Sequence, residues 1–291
     1  MTIAPPPVGP VRRAVFLGTP ELAVPPLQAL VAAGIEVPLV VSQPDRRRGR
    51  GSALVPSPVK AAALELGLPV RTPARSGEIV DEMRASGATL GAVVAFGQLL
   101  PDTLLDALPH GFVNLHFSLL PRWRGAAPVE RAILAGDTET GVCVMRIDAG
   151  LDTGPVFAVE RTPIGPDETA GELRARLTGL GTRLMVATLP RVPDLEPLTQ
   201  EGEPTYADKL DVAEFELDWS RPAEELLRII RAGNPRPGAW TTVDGSRLKV
   251  WRARRAPDGT VEPIEVQPEG KGRMTWDAWA RGHPRSIRLG S

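Results

Sequence analysis

The strongest constraint on the fold is an alternation of short apolar runs with helix-forming segments across residues 12–192. Because the connections are short, such an alternation predicts a mainly parallel sheet covered by helices, a Rossmann-like α/β domain. Ligands of such domains bind beyond the carboxyl ends of the strands. Strands are predicted at 12–18, 35–43, 90–97, 111–118 and 140–147. Helices are predicted at 19–34, with Thr19 as its N-cap, and at 57–67, 127–136 and 169–192.

The pattern changes after residue 192. Residues 193–205 are polar and interrupted by prolines, which indicates a linker. The range 206–291 contains a predicted helix at 222–233, followed by strand-sized runs around Asp244-Gly245, a typical hairpin turn. This range is therefore predicted to be a smaller β-rich domain with the form of an open barrel.

The composition is that of a soluble globular protein, with 42% hydrophobic and 24% charged residues. Cys143 is the only cysteine, which excludes an intrachain disulfide and fits a reducing compartment. Three histidines do not favour a multi-histidine metal site. No run approaches the roughly 20 apolar residues of a membrane helix, so we expect a cytoplasmic protein without membrane association. The net charge of −1 neither favours nor excludes nucleic acid.

Two polar side chains interrupt the apolar strand GFVNLHFS near its carboxyl end. Asn114 and His116 lie two residues apart, so on a strand they point to the same face. A histidine that titrates near neutrality and an amide donor together suit proton handling and oxyanion stabilisation in acyl transfer. A satisfied polar pair that closes the strand is the alternative, and the spacing does not decide between them.

A carboxylate in DAGLDTGPVF (148–157) is the best third partner. Asp152 follows a predicted strand, and near His116 it would favour the imidazolium and orient the ring. An ordinary Asx-turn also explains LDTG, and from the sequence alone that explanation is somewhat favoured.

Basic residues cluster in two segments. Four arginines occupy the glycine-containing loop QPDRRRGRG, which suits a polyanion, although a solvated run of charge is the commoner explanation. In SRLKVWRARR (246–255), strand alternation places Arg247, Lys249 and Trp251 opposite Leu248, Val250 and Arg252.

The segment LGTPEL lacks G-x-G-x-x-G, so a dinucleotide cofactor is not supported.

From residue 14 to about 285 the chain resembles the methionyl-tRNA formyltransferase family of folate-dependent formyltransferases. The resemblance is carried by FLGTPELAVPPL, SQPDRRRGRG, NLHFSLLPRWRGAAPVERAI, GLDTGPV, TYADKL and DWSRPAEELLRIIRAGNPRPGAW. It implies a Rossmann-like formyltransferase domain and a C-terminal OB-like open barrel that binds tRNA. It also implies transfer of the formyl group of 10-formyltetrahydrofolate to the methionine α-amine of initiator methionyl-tRNA, by a monomer that needs no metal.

The same resemblance assigns roles to individual positions. Catalysis is expected of Asn114, His116 and Asp152. Folate binding is expected of Ser118, Leu119, Leu120 and Pro121 and of the backbone of Ala95, Phe96, Gly97, Gln98, Leu99 and Leu100. Binding of tRNA is expected of Arg46, Arg47, Arg48, Arg50, Arg122 and Arg124. It is also expected of Lys249, because that residue lies in a basic strand with an aromatic side chain.

Two other functions compete with this reading. A formyltransferase acting on the amine of a nucleotide sugar would share Asn114, His116 and Asp152, but it would not need RWRGAAP or the arginine loop. An RNA-binding module without catalysis would not need the three polar residues.

Overall fold

A computed structural model describes residues 9–47 and 54–283. The strands in chain order are β1 (Ala14–Gly18), β2 (Val40–Val41), β3 (Arg46–Arg47), β4 (Leu54–Val55), β5 (Val70–Arg71), β6 (Leu90–Val94), β7 (Phe112–His116), β8 (Arg124–Gly125), β9 (Glu139–Arg146), β10 (Val156–Pro163), β11 (Tyr206–Ala207), β12 (Ala239–Val243), β13 (Ser246–Arg255), β14 (Val261–Pro268) and β15 (Met274–Thr275). The α-helices are α1 (Val24–Ala32), α2 (Pro58–Glu65), α3 (Val80–Ala85), α4 (Asp102–Leu105), α5 (Pro128–Ala135), α6 (Ala170–Thr188), α7 (Ala223–Gly233) and α8 (Trp276–Ala280). Short 3₁₀ helices lie at Glu21–Ala23, Ser76–Ile79, Leu189–Asp194 and Val212–Phe215. Within the described ranges, no helix combines the length and the apolar character that crossing a membrane requires.

The central sheet has the strand order β10-β9-β7-β6-β1-β2-β5. Neighbouring strands from β5 to β7 run parallel, and β9 runs antiparallel to β7. The chain builds the sheet outward from β1 through β2 and β5, and then returns to the other side of β1 to form β6 and β7. The carboxyl ends of β1 and β6 therefore form the topological switch point, where ligands of such sheets bind.

Close packing on both faces sets the orientation of β7. Leu115 contacts Gly181 of α6 so closely that a Cβ at Gly181 would lie 2.8 Å from Leu115 Cδ2. On the opposite face Phe112 is fully buried in a core cluster with Leu17 and Phe96. Because strand residues alternate, Asn114 and His116 share the face of Phe112.

The first helix begins later than the sequence predicts. Helix α1 starts at Val24, so Pro25 and Pro26 fall in its first turn, where a missing N–H breaks no intrahelical bond. The Thr19 hydroxyl donates to the Phe96 carbonyl at 2.9 Å. The prediction that Thr19 caps this helix is therefore wrong: its side chain joins the loop after β1 to the loop after β6.

Strand β10 is absent from the sequence-based prediction. It lies at the edge of the sheet, and its residues alternate between partly buried and exposed positions. Its apolar residues are concentrated in VFAV in its first half, and ERTP in its second half has no apolar pattern, so the sequence indicates no full-length strand here.

The chain divides into two compact units, and each unit is built from three separate segments of the chain. One comprises residues up to 124 together with 141–161 and 175–205, and the other comprises 125–140, 162–174 and the chain from 206 onward. The second unit contains an antiparallel sheet in the order β12-β13-β14-β15. The mainly parallel sheet of the first unit and this antiparallel sheet confirm the predicted fold class.

The predicted hairpin around Asp244 and Gly245 is also present. These residues have φ angles of 49° and 75°. Two successive positive φ angles are what a two-residue type I′ hairpin turn requires.

A β-bulge in β13 changes the predicted faces of this strand. Val250 pairs with Val266, whereas Arg252 pairs with Glu265, so Trp251 is the extra residue. Val250 and Trp251 are both buried, and Arg252 is exposed. The prediction that Arg252 shares a face with Leu248 and Val250 is wrong, because an inserted residue reverses the alternation beyond it.

The contact between α6 and Leu115 can be tested with two glycine substitutions in the same helix. Gly181→Ala places a methyl group against Leu115, whereas a Cβ at Gly179 would come no closer than 3.9 Å to the Arg183 guanidinium. Both variants gain the same helix propensity. We expect Gly181→Ala to have a free energy of unfolding about 1–3 kcal/mol below that of Gly179→Ala, the usual cost of overpacking. Urea denaturation of the two proteins measures the difference, and equal midpoints and slopes would contradict the packing described.

Candidate active site

His116 is the last residue of β7, and its ring is held at both nitrogens. The side chain is 6% exposed. Nε2 lies 2.9 Å from the carbonyl oxygen of Trp123. A carbonyl oxygen only accepts hydrogen bonds, so Nε2 carries a proton and donates it to this bond. Nδ1 is left to face the third predicted catalytic residue.

Asp152 lies on the loop between β9 and β10, beside the imidazole of His116. Its Oδ2 is 3.6 Å from His116 Nδ1. This separation exceeds a direct hydrogen bond but allows strong attraction between a carboxylate and an imidazolium. The structure therefore brings together two residues that are 36 positions apart in the chain.

Asn114 lies two residues before His116 on the same face of β7. Its side chain is partly exposed and makes no hydrogen bond to any of the described residues. Its amide can donate two N–H bonds to a ligand that approaches this face.

Three loops around the polar residues contain strained backbone. Ala95, Trp123 and Asp152 have φ angles of 47°, 62° and 49°, values in the left-handed region that non-glycine residues seldom adopt. Such residues concentrate at functional sites, where the surrounding structure compensates for their cost.

The loop after β6 contains the first predicted folate-binding segment. Its backbone is fixed by Gln43, whose Nε2 donates to the carbonyls of Phe96 at 3.2 Å and Gly97 at 2.8 Å. The Phe96 side chain is buried in the core, whereas Leu99 is 87% exposed. Ala95 and Gly97 are exposed, and Gln98 and Leu100 are partly buried. The segment thus presents backbone and one large apolar side chain at the switch point of the sheet.

The second predicted folate-binding segment, Ser118 to Pro121, is a tight turn after β7. The Ser118 hydroxyl donates to the Arg122 carbonyl at 2.6 Å, and the Arg122 N–H donates to the Leu119 carbonyl at 3.0 Å. Ser118 is fully buried, while Leu119, Leu120 and Pro121 are partly buried. Ser118 therefore shapes the turn, and the three residues after it are accessible in part.

Two residues of the arginine loop lie in a two-stranded ribbon. Arg46 and Arg47 in β3 pair with Val55 and Leu54 in β4, and all four residues are exposed. Arg48 and Arg50 lie outside the described residues.

Three further basic side chains were predicted to bind tRNA. The Arg122 guanidinium lies 4.5 Å from the centre of the Trp123 ring. Nε and Nη2 of Arg124 donate to Gln200 Oε1 at 3.1 and 2.7 Å. In the second unit Lys249 Nζ donates to the Pro237 carbonyl at 2.8 Å. Arg124 and Lys249 are thus engaged in contacts within the protein.

The predicted linker supplies residues to this region that the sequence does not reveal. Gln200 Nε2 donates to the carbonyls of Asp152 at 2.8 Å and Gly154 at 2.7 Å. The Thr205 hydroxyl accepts from the Trp123 N–H at 2.9 Å. Gln200 belongs to no local motif. Thr205 is the first residue of TYADKL, but nothing in that segment indicates a contact with Trp123.

A metal site and a reactive cysteine are two other kinds of site that could carry chemistry. Among the described residues, no group of three or more His, Cys, Asp or Glu side chains is arranged to hold a metal ion. Burial raises the pKa of the Cys143 thiol to about 11, which keeps it protonated at neutral pH and supports its reading as a core residue.

Known proteins resemble this chain over most of its length. A family model described as formyl transferase matches residues 12–189, and one described as formyl transferase, C-terminal domain, matches residues 209–260. The methionyl-tRNA formyltransferase of Roseobacter denitrificans is 52% identical over 88% of this chain and 85% of its own length. The methionyl-tRNA formyltransferase of Ruegeria pomeroyi is 46% identical over 94% of this chain and 97% of its own length.

A solved structure supports the fold independently. HypX from Aquifex aeolicus, in complex with tetrahydrofolic acid, superposes with a TM-score of 0.66 over 93% of this chain and 47% of its own length, at 15% identity. The chain therefore spans about half of that protein, and a likeness at this identity concerns the fold alone. Together with the family models and the two close relatives, the comparison shows that the chain belongs to the methionyl-tRNA formyltransferase family.

Proposed function

We propose that the protein transfers the formyl group of 10-formyltetrahydrofolate to the α-amine of methionine on initiator methionyl-tRNA, which prepares that tRNA for translation initiation. One observation carries the proposal. Asn114, whose side-chain amide has no partner among the described residues, lies on the same strand face as a buried histidine whose Nδ1 faces a carboxylate 3.6 Å away. The relatives named methionyl-tRNA formyltransferase supply the identity of the acceptor.

The reaction is a direct acyl transfer. The neutral amine nitrogen attacks the formyl carbon, which forms a tetrahedral intermediate with a negatively charged oxygen. The bond between this carbon and N10 of the folate then breaks, and one proton passes from the amine to N10. The step as written uses side chains and water, and we propose no metal.

Each of the three polar side chains has a role in this step. The Asn114 amide donates a hydrogen bond to the developing oxyanion. His116 as imidazolium adds positive charge beside it, and the Asp152 carboxylate stabilises that charge and accepts the amine proton through water.

Folate is proposed to bind along the carboxyl edge of the sheet. The backbone of 95–100 presents polar groups there, and the turn 118–121 lies at the end of the neighbouring strand. HypX, which has a similar fold, has been solved with tetrahydrofolic acid, and we propose a folate as the donor here.

The tRNA is proposed to contact Arg46 and Arg47 of the ribbon, the exposed Arg122, and Arg48 and Arg50, which lie outside the described residues. Lys249 is proposed as a tRNA contact of the second unit. We further propose that the protein acts as a monomer in the cytoplasm, where both proposed substrates occur.

A formylation assay with defined acceptors tests the function. The protein is incubated with 10-formyltetrahydrofolate and either initiator methionyl-tRNA or an amino-sugar nucleotide. We expect formylation of the methionyl-tRNA only. Formylation of the sugar amine with no product on tRNA would replace the proposal with the competing one.

Substitution of the catalytic histidine tests its role. His116→Ala removes the charge beside the oxyanion, and we expect kcat to fall about 10²–10³-fold, a loss typical of an oxyanion-stabilising group. His110→Ala is the matched control, because His110 precedes the amino end of the same strand. Steady-state kinetics measure kcat of both proteins. Equal losses of kcat in the two variants would mean that His116 contributes only to the stability of the fold.

Charge removal on the ribbon tests tRNA binding. In the double variant Arg46→Ala/Arg47→Ala we expect KM for methionyl-tRNA to rise, kcat to change little, and the slope of log affinity against log salt to fall by about 2. Removal of two exposed arginines elsewhere, Arg84→Ala/Arg191→Ala, controls for net charge. Salt titrations in a filter-binding assay measure the slopes. If the control pair lowers the slope as much as the ribbon pair, the tRNA surface lies elsewhere.

A further inference from the structure

The side chain of Gln200 completes a ring of contacts that begins and ends at His116. His116 Nε2 donates to the Trp123 carbonyl, and the next residue, Arg124, donates twice to Gln200 Oε1. Gln200 Nε2 donates to the Asp152 carbonyl, and the Asp152 carboxylate faces His116 Nδ1. The segment that contacts Nε2 and the loop that faces Nδ1 are therefore connected through the side-chain amide of Gln200.

We infer that Gln200 is a positioning residue for formyl transfer, which sets the separation between the Asp152 carboxylate and the His116 ring. The inference rests on the proposed function and adds to it a residue from the segment predicted to be a linker. Gln200 touches no reacting atom, and it acts through the backbone of the loop that carries Asp152.

The loop between β9 and β10 needs such support at its tip. Its base is closed by the bond from the Arg146 N–H to the Pro155 carbonyl at 2.9 Å. At the tip, Asp152 has a φ angle of 49°, and Gln200 donates to the carbonyls of Asp152 and Gly154. These two bonds hold a strained backbone in the conformation that directs the carboxylate toward His116.

Gln200 is itself held firmly enough to serve as a support. Two residues before it, Leu198 exchanges both backbone hydrogen bonds with Val156, at 2.8 and 2.9 Å. Five residues after it, Thr205 binds the backbone of Trp123 and Arg124. The amide between these anchors has all four of its hydrogen-bonding positions engaged, two accepting from Arg124 and two donating to the loop.

This arrangement also gives Arg124 a different role from the one predicted. Its Nε and Nη2 both point to Gln200, so this edge of the guanidinium fixes the orientation of the Gln200 amide. With Oε1 held by Arg124, the amide NH₂ is necessarily directed to the loop carbonyls.

Gln200→Met tests the inference, because it keeps the length of the side chain and removes all four hydrogen bonds. We expect kcat for methionyl-tRNA formylation to fall about ten- to hundredfold, with KM for both substrates within about twofold of wild type. Gln28→Met is the matched control, since Gln28 is an exposed residue of α1. Melting temperatures measured on both variants show whether they are folded.

Gln200→Glu separates the two halves of the contact. The carboxylate still accepts from Arg124, but it cannot donate to the carbonyls of Asp152 and Gly154. We expect this variant to be as impaired as Gln200→Met. If Gln200→Met does not fold, Gln200→Glu alone carries the kinetic test, because it retains the bonds to Arg124.

A spectroscopic measurement gives an answer that does not depend on activity. The chain contains only His110, His116 and His283, so its imidazole ¹H–¹⁵N correlations are few, and those of His116 are identified by their loss in His116→Ala. In Gln200→Met and Gln200→Glu we expect the His116 ring signals to move while those of His110 and His283 stay in place.

The outcomes are distinguishable. If wild type does not formylate methionyl-tRNA, the proposed function fails whatever the histidine spectra show. If wild type is active, a wild-type kcat in Gln200→Glu, or a raised KM for tRNA at unchanged kcat, overturns the positioning role of Gln200. Unmoved His116 signals in a folded variant overturn it as well.

Discussion

The packing of Leu115 against Gly181 determines the direction of every side chain on β7. Strand residues alternate between two faces, so a shift of one residue would bury Asn114 and His116 against α6 and expose Leu115 in their place. The polar chemistry of the site therefore depends on an apolar contact on the opposite face of the sheet. A side chain at position 181 would have to displace Leu115, because a Cβ there would lie 2.8 Å from Leu115 Cδ2.

The site combines rigid and strained elements. Asn114 and His116 lie on a strand that has hydrogen-bonded neighbours on both sides, so their positions follow from the sheet. Asp152 and the predicted folate-binding backbone lie on loops with left-handed residues, whose conformation must be held by other groups. Gln43 supplies the bonds for one loop and Gln200 for another, in each case through a side-chain amide that donates to two backbone carbonyls.

The parts of this arrangement that the sequence predicts are those with a local pattern. Apolar runs revealed most of the central strands, and a spacing of two residues placed Asn114 and His116 on one face. The spacing could not decide the role of Asp152, because Asp152 lies 36 residues from His116 in the chain and the pairing of β7 with β9 brings them together. The local pattern predicts Thr19 as a helix cap, but its hydroxyl donates to a carbonyl 77 residues away. A contact at that separation leaves no local pattern. Gln200 has no neighbours in the chain that mark it, since every group it bonds is distant in sequence. The predicted face of Arg252 is wrong because of the bulge at Trp251. A bulge depends on how two strands pair, and the apolar pattern of one strand carries no information about its partner.

The location of Gln200 has a consequence for how the protein is made. A ribosome that has released residues up to 192 has produced Asn114, His116 and Asp152 and every strand of the central sheet. The loop that carries Asp152 still lacks its support at that stage, because Gln200 and Thr205 have yet to emerge. A fragment cut at the boundary predicted for the first domain would therefore retain the sheet and the three polar residues, but with its carboxylate loop released. The proposed catalytic site gains the contacts of Gln200 and Thr205 only when the chain has passed residue 205.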